Sequence, residues 1–450
     1  MRKSLFLMFF LLTLSVGTLY SANTWVNGYK TAIEIKETTL FGDKSAATGI
    51  TIESLTHYAN HLFWETQFTT EDPLELTTAF TFSQARKNAE RTSPPQMMLS
   101  SNIDFGMSGN GLDLEAEQSL ALKPAADVAT RTPNGEMRTE TVLLSDYYAF
   151  YPLSMDVDTP NGFDNKTHTA HIVTNYFQIP VPKRHMLDVS VTKSSTGQLT
   201  TIDTQSISGS ISLYAESLLS SSGYYYIIKS YDEHNGNSMV LPHKVSGIHF
   251  LPFQKVGGIS EPNLTHMNCV YTFENETVRA LSLMQDVEDQ TLLLITEEND
   301  VIMLSVIDQD SMTLIQKTEI TKASPDVSFS EIKSFGDFLV AYFSDQRFYL
   351  LSKTADRHYE LQMSENFPEI VNMAYMPFDR MQMTYAHDRL AIAFYKEQYK
   401  SSLYLIVYDK TGLAYVGQYD QNTDRTPERQ NHKNVVPLDQ APLRITFIYK

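Results

Sequence analysis

Histidine pairs, acidic turns, a glycine cluster and a lone cysteine are the residues of this 450-residue chain whose types could do chemistry. His57 and His61 form H-x-x-x-H, a metal-ligand spacing on a helix, but their setting, ITIESLTHYANHLFWETQF, is β in character. On a strand, residues four apart lie about 13 Å from each other, too far to share one ion. His168 and His171 are three apart, which on a strand sends them to opposite faces. Both pairs read as ordinary histidines. The acidic turns DVDTPNGFDN (156–165) and DEHNGN (232–237) gather Asp, Asn and Gly as calcium loops do. Neither has the EF-hand spacing, and Asx turns use the same residues for backbone reasons, so no metal is expected. Serine chemistry lacks its G-x-S-x-G elbow: GMSGNG (106–111) is misordered for it and lacks the G-K-[ST] ending of a phosphate loop. Cys269, in HMNCVYTF, reads as an inert core thiol. The tyrosine clusters DYYAFY (146–151) and GYYYII (223–228) read as core and sheet-face residues, with stacking on sugars as the functional alternative. Asp and Glu are too numerous for a two-carboxylate glycosidase site to be located. The catalytic residues are therefore unassigned, and neither a cofactor nor a metal is expected.

The elements that would position any such site are strands. Hydrophobic residues make up 42% of the chain, enough for a packed core, and the length suits two or three domains or one large all-β domain. The net charge of -18 excludes nucleic acid as a partner, because binding phosphates requires a basic face. Arg2 and Lys3 precede LFLMFFLLTLSV (5–16), a positive segment followed by a short apolar one, which reads as an export signal. Cleavage after Gly17 or Ala22 is the first expectation. An uncleaved anchor reaching Tyr20 is the second, and either leaves the body outside the membrane. With Cys269 the only cysteine, the exported chain must be held together by its core alone.

Strand grammar repeats in the C-terminal half. TLLLIT, VIMLSVID and TLIQKT (291–318) form one three-strand unit; FLVAYF, FYLLSK and HYELQM (338–363) form the next. LAIAFY, LYLIVY and LAYVGQY (390–419) form a third, its last turn being Asp409-Lys410-Thr411-Gly412. EIKSF (331–335) and MQMTYA (381–386) supply fourth strands, and the central runs are apolar on both faces, as strands sandwiched between neighbouring sheets are. Upstream, strands are read at 32–37, 49–54, 61–68, 76–83, 141–153, 171–181, 187–192, 198–203, 211–217 and 224–232, and in SMVLPHKV (238–245).

Units of several strands at steps of about 50 residues resemble β-propeller repeats. LYLIVYDKTGLAYVGQYD resembles a blade of the quinoprotein-type propellers, with Tyr415 or Tyr419 where those repeats carry Trp, and no quinone is implied. YFQIP (176–180) is similar to the F/Y-R-I-P segment of sialidases, six-bladed propellers whose arginine binds carboxylate; Gln178 stands in its place here, so that activity is not expected. The resemblance implies an all-β, β-propeller-like fold of six to eight blades. The expected organisation is a signal or anchor (1–22), N-terminal strands (23–83), a long polar insertion (84–139) with a short helix at 84–91, and a propeller-like domain (140–450). The function expected is that of a non-catalytic, exported binding or scaffolding protein at the cell envelope, meeting a protein or glycan. The alternatives are a glycan-active enzyme and a membrane-tethered sensor.

Overall fold

Short turns with a definite chemistry set the register of the sheets. In the computed structural model Asp409 Oδ1 accepts from Thr411 N (2.7 Å) and Thr411 Oγ1 (2.6 Å), and Gly412 follows at φ 109°. Asp308 Oδ1 closes its hairpin in the same way, accepting from Ser311 N (3.0 Å) and Ser311 Oγ (2.8 Å). Asn299-Asp300 and His387-Asp388 each place two successive residues at positive φ, the backbone of a two-residue type I′ hairpin turn. Such turns fix pairing to the residue. Since side chains alternate along a strand, they also fix which ones face the core.

The structure describes residues 2–30, 34–58, 62–71, 73–82, 97–100, 105–112, 121–160, 167–174, 176–209, 211–232, 245–275, 277–324, 326–371, 381–395, 402–421 and 444–448. After an N-terminal helix, Arg2–Lys30, these residues are organised mainly as small antiparallel sheets, and the chain divides into two units.

The first unit comprises residues 1–90, 329–352 and 361–450. Its sheets interweave the ends of the chain. Ile35–Gly42 is the outer strand beside Gly412–Gln421, Ser402–Asp409, Arg389–Tyr395 and Gln382–Ala386, in that order. Arg444–Phe447 flanks Ile50–Tyr58, Leu62–Thr69 and Glu75–Phe82. The third sheet is the meander Phe329–Ser334, Phe338–Phe343, Arg347–Lys353 and Tyr359–Asn366. Here the strands read within 338–363 and 390–419 are present, with both expected fourth strands. The central strands bury both faces: Leu390, Ile392 and Phe394 pack with Phe348, Leu350 and Tyr408, while Ala391 and Ala393 pack with Leu405, Val407 and Tyr415. Each large side chain buried this way stabilises the fold by about 1.5–3 kcal/mol.

The second unit comprises residues 91–328 and 353–360. Arg279–Asp286, Thr291–Glu298, Val301–Asp308 and Leu314–Lys322 form a four-stranded meander. Ile211–Leu219, Gly223–Asp232 and Gly247–Val256 form another sheet, with Ile259–Pro262 and Asn268–Thr272 both pairing with the last of these. The remaining sheets recruit residues from the expected polar insertion. Met97–Ser100 lies beside Leu153–Pro160, itself paired with Thr167–Thr174. Phe105–Ser108 lies beside Leu199–Ser208, followed by Met186–Lys193 and Met137–Leu143. Part of 84–139 is thus built into sheets, and it also supplies the helix Leu122–Arg131. That helix buries Ala125, Val128 and Ala129 in the same core as Leu187, Val189 and Tyr151, a narrow apolar stripe of mostly small side chains. The helix expected at 84–91 and the strand expected at 238–245 lie largely or wholly outside the described residues. The strand expected over 141–153 ends at Leu143, where Leu144–Asp146 turn as a 3₁₀ segment to bury Leu144.

The architecture is therefore all-β and propeller-like: repeated antiparallel meanders, centrally apolar on both faces, with the chain ends paired into each other's sheets. The apolar segment expected at the N-terminus is present as a helix of a length that suits either a signal or an anchor. The helix runs unbroken to Lys30, and its apolar window spans the 20 residues Phe6–Trp25, fully exposed.

Candidate functional site

Among the described residues, polar side chains converge in several places, and what surrounds each decides what it can do. The first is in the second unit. Lys353 Nζ lies 2.7 Å from both Asp286 Oδ2 and Asp289 Oδ2, and Tyr359 donates to Asp286 Oδ2 at 3.0 Å. Gln316 brackets the Tyr359 backbone, accepting from its N–H (2.7 Å) and donating to its carbonyl (2.8 Å). Burial alone would raise the Asp286 pKa; hydrogen bonds from Lys353, Tyr359 and the Asp289 amide, with the lysine charge, outweigh it and hold the carboxyl below its ordinary value. Lys353 is burdened by the same burial, yet is raised by its two carboxylates. At the margin Arg357 reaches Asp308 at 3.2 Å, and the Ser311 bonds, then Arg357, bring Asp308 to about 2. Donors and acceptors are matched within this network, which makes it a staple.

A second convergence is in the first unit. Glu37 accepts from Tyr415 (2.9 Å) and Tyr419 (3.4 Å) and pairs with Lys44 (2.6 Å). Burial, then the neighbouring carboxylate, pushes Tyr415 to about 12, and burial pushes Tyr419 higher still. Glu37 thereby ties the strand that follows the N-terminal helix to the sheet it completes.

Two buried histidines follow different rules. His185 relays between Tyr151 OH (Nδ1, 2.7 Å) and Ser206 Oγ (Nε2, 3.1 Å), with its ring fully buried. His249 Nε2 donates to Val245 O at 2.9 Å, which leaves Nδ1 buried without a partner. Its ring stacks on Tyr226 (centroids 5.3 Å apart) and meets the edges of Tyr176 and Phe177. Desolvation lowers its pKa.

The arrangement with the most chemistry in reach is solvent-facing. In the hairpin of Leu153–Pro160 and Thr167–Thr174, Asp156 lies directly opposite His171 and Ser154 is its diagonal neighbour. Alternation puts all three on one face, giving Ser154 Oγ···His171 Nε2 at 3.0 Å and His171 Nδ1···Asp156 Oδ1 at 2.7 Å. The His171 and Asp156 side chains are 46% and 39% exposed. Thr169 donates to Asp158 (2.6 Å) two pairs further on, and Met98, exposed, stands across from Asp156 on the other side.

The residues singled out from sequence fall as follows. His57 is on the strand Ile50–Tyr58 with its side chain outside the described residues, and His61 lies wholly outside them. His168 and His171 share one strand at positions of opposite parity, and the His168 side chain is not described. The acidic segment 156–165 begins as strand and 232–237 starts at a strand's last residue; 161–165 and 233–237 lie outside the description. Gln178 occupies a positive-φ turn (49°), exposed, after Tyr176 and Phe177 have packed on His249. Within 106–111, Gly106–Ser108 continue a strand. Cys269 is half-buried with Sγ 3.5 Å from Tyr271 O, and burial raises its thiol pKa. Of the tyrosines, Tyr151, Tyr224 and Tyr226 are fully buried, and Tyr147 donates to Asp127 at 2.6 Å, burial and that carboxylate pushing it to about 12. Ser154, Lys353 and Glu37 are not among the residues read from sequence; Asp156 and His171 are, as part of an acidic turn and of a histidine pair, but not as partners of each other. Cross-strand register is the only signal for that partnership.

No protein-family model matches the chain, and no curated protein matches it. Among solved structures, a putative 6-phosphogluconolactonase from Bacteroides fragilis is 8% identical, with 89% of this chain and 98% of that one covered and a TM-score of 0.30. A periplasmic gluconolactonase from Pseudomonas aeruginosa is 9% identical over 88% and 99% of the two chains, TM-score 0.30. A β-propeller domain from Myceliophteria thermophila is 11% identical over 52% and 82%, TM-score 0.24. The assignment of this chain to a propeller-like fold rests on its own strand order and register.

Proposed function

We propose that this protein is an exported binding or scaffolding module, tethered by its N-terminal helix and presenting its all-β body on the outer side of the membrane. The observation that carries the reading is the helix Arg2–Lys30, whose apolar window of 20 residues is 0% buried within the chain. At 1.5 Å per residue that window spans about 30 Å, the thickness of a bilayer's hydrocarbon core. Exposed Phe, Leu and Trp side chains in such number have no favourable place in water, and a bilayer supplies one. Arg2 and Lys3 flank the window on one side, which favours their retention in the cytoplasm and the body's export. Glu37 fastens Ile35–Gly42, the first strand after the helix, into the terminal sheet, so a pull on the tether is borne by that sheet. A protein or glycan of the cell envelope, met by the loops and sheet edges, is the class of partner that this placement favours.

The test is fractionation of cells expressing the full chain, with N-terminal sequencing. The tether requires that the protein stays with membranes after alkaline carbonate washing, keeps its apolar segment, and loses its body to protease added outside intact cells or spheroplasts. A soluble protein starting at Thr18 or Asn23 would refute the tether.

A further inference from the structure

The outward face of the Leu153–Thr174 hairpin carries the parts of an activated nucleophile. Asp156, as a carboxylate, can only accept a hydrogen bond, so the 2.7 Å contact places the proton of neutral His171 on Nδ1. Nε2 is then the ring's bare acceptor, and the Ser154 hydroxyl is the donor that meets it at 3.0 Å. Serine, imidazole base and orienting carboxylate stand in the order and at the spacing that general-base activation of a hydroxyl requires.

We propose that Ser154 is a nucleophile toward activated acyl esters, with His171 as general base and Asp156 as the residue that positions the ring. In the first step Ser154 Oγ bonds to the acyl carbon, its proton passes to His171 Nε2, and the ester C–O bond breaks with that proton delivered to the leaving alkoxide. In the second, His171 takes a proton from water, the hydroxide bonds to the acyl carbon, and the bond between Ser154 Oγ and the acyl carbon breaks as Oγ is reprotonated. Two features define the substrate class. Asp156 and Asp158 project from the same strand face and repel anionic acyl groups, while exposed Met98 opposite Asp156 offers an apolar rest, so neutral acyl groups fit. Ser154 lies in a central strand paired on both sides, with Ser100 and with Val173. Its neighbouring amides belong to the ladder and leave the developing oxyanion to water. One missing oxyanion donor costs about 10²–10³ in rate, which restricts the chemistry to esters with good leaving groups.

The detergent-solubilised full chain is incubated with a biotinylated fluorophosphonate, and separately with p-nitrophenyl acetate, followed by peptide mapping. The expected result is an adduct on Ser154, absent from Ser154→Ala and formed at least about 100-fold more slowly in His171→Gln, the usual size of a general-base contribution. Asp156→Asn should slow labelling in the wild-type background and have no further effect in the His171→Gln background, because the carboxylate acts only through the ring it orients. Asp158 is the other charged group on that strand face, and the adjoining strand presents Met98. All three variants alter side chains outside the core and should melt with the wild type. No adduct at Ser154, or equal labelling of wild type and His171→Gln, would overturn the proposal; a fall of equal size from Asp156→Asn in the His171→Gln background would remove the role given to the carboxylate.

Discussion

Lys353→Met is the perturbation whose consequence the geometry fixes most closely. The lysine sits 2.7 Å from two carboxylates, with the side chains of Lys353 and Asp286 only 12% and 11% exposed. Methionine keeps the stem's packing and removes the charge, stranding Asp286 and Asp289. Removing one partner of a buried ion pair costs 3–5 kcal/mol; with water still reaching the Asp289 side, about 3 kcal/mol is expected here. For a unit of this size that lowers the melting temperature by about 6–12 °C. The pH dependence carries the stronger test. In the wild type the Asp286 pKa is depressed, so its contribution is present above the unfolded carboxylate value of about 3.9 and is lost as pH falls through the folded value. Without Lys353, burial is opposed only by neutral donors, the Asp286 pKa rises above its unfolded value, and protonation then favours the folded state. The gap between variant and wild type should therefore narrow on acidification from pH 7 to 5, as measured by thermal melts at matched ionic strength. Adding Asp286→Asn and Asp289→Asn to Lys353→Met should restore at least half of the lost stability. A gap below about 2 °C, or one that is constant across this pH range, would refute the account of the network as a charge-balanced staple.

Other expectations follow from the same kind of accounting. His249 must be neutral in the fold, so stability is complete above the unfolded histidine value of about 6.5 and falls with pH below it, at up to about 1.4 kcal/mol per pH unit; His249→Phe should flatten that slope in denaturant titrations. Glu37→Ala removes the shared acceptor of Tyr415, Tyr419 and Lys44; the two hydroxyls keep their 3.1 Å bond to each other, so the one buried donor left over costs about 1–3 kcal/mol, and hydrogen exchange in Gly412–Gln421 should accelerate as the outer strand loosens. Removing residues 1–42 should go further and cause aggregation by baring the edge of that strand, where removal of 1–30 should not, as light scattering will distinguish. Gly42→Ala should behave like the larger truncation, because φ is +73° and a Cβ there would stand 1.9 Å from Ala414 O.

Much of the architecture is legible in the sequence because both-faces-apolar runs and Asx or type I′ turns are local signals. Phe338–Phe343, Arg347–Lys353 and Ser402–Asp409 each match a run read in the sequence, since residues of that type bounded by Asp-led turns have few other places to go. The helix Leu122–Arg131 is not legible. Its buried stripe of Pro124, Ala125, Val128 and Ala129 is made of small side chains and opens on a proline, so it reads as polar sequence until a sheet is there to receive it. The N-terminal apolar run, read over 5–16, already contains Thr13 and Ser15, and Thr18 follows it closely. In a helix two of these hydroxyls return to carbonyls one turn back, Thr13 to Phe9 at 2.7 Å and Thr18 to Leu14 at 3.0 Å, so they interrupt neither the helix nor its apolar face.

The Ser154–His171–Asp156 relay shows why sites are harder to see than strands. In sequence, the serine and aspartate are two residues apart and the histidine follows after an interval that has no chemical meaning. Proximity is created by pairing alone: with Asp156 opposite His171, Ser154 becomes a diagonal neighbour on the same face. Met155 and Val157, the residues between and beside them, are fully buried. A slip of one residue would put one of those apolar positions opposite His171 and turn Ser154 and Asp156 toward the core. The energy of that core therefore holds the relay in register, although none of its three members is buried. This makes a decisive control possible. Met155→Ala should cost about 2–5 kcal/mol through the cavity it leaves, while the surviving folded fraction keeps its Ser154 labelling rate, because register and relay are lost together or not at all. A graded fall in labelling within the folded fraction would mean that the relay depends on fine packing, and that pairing alone does not assemble it.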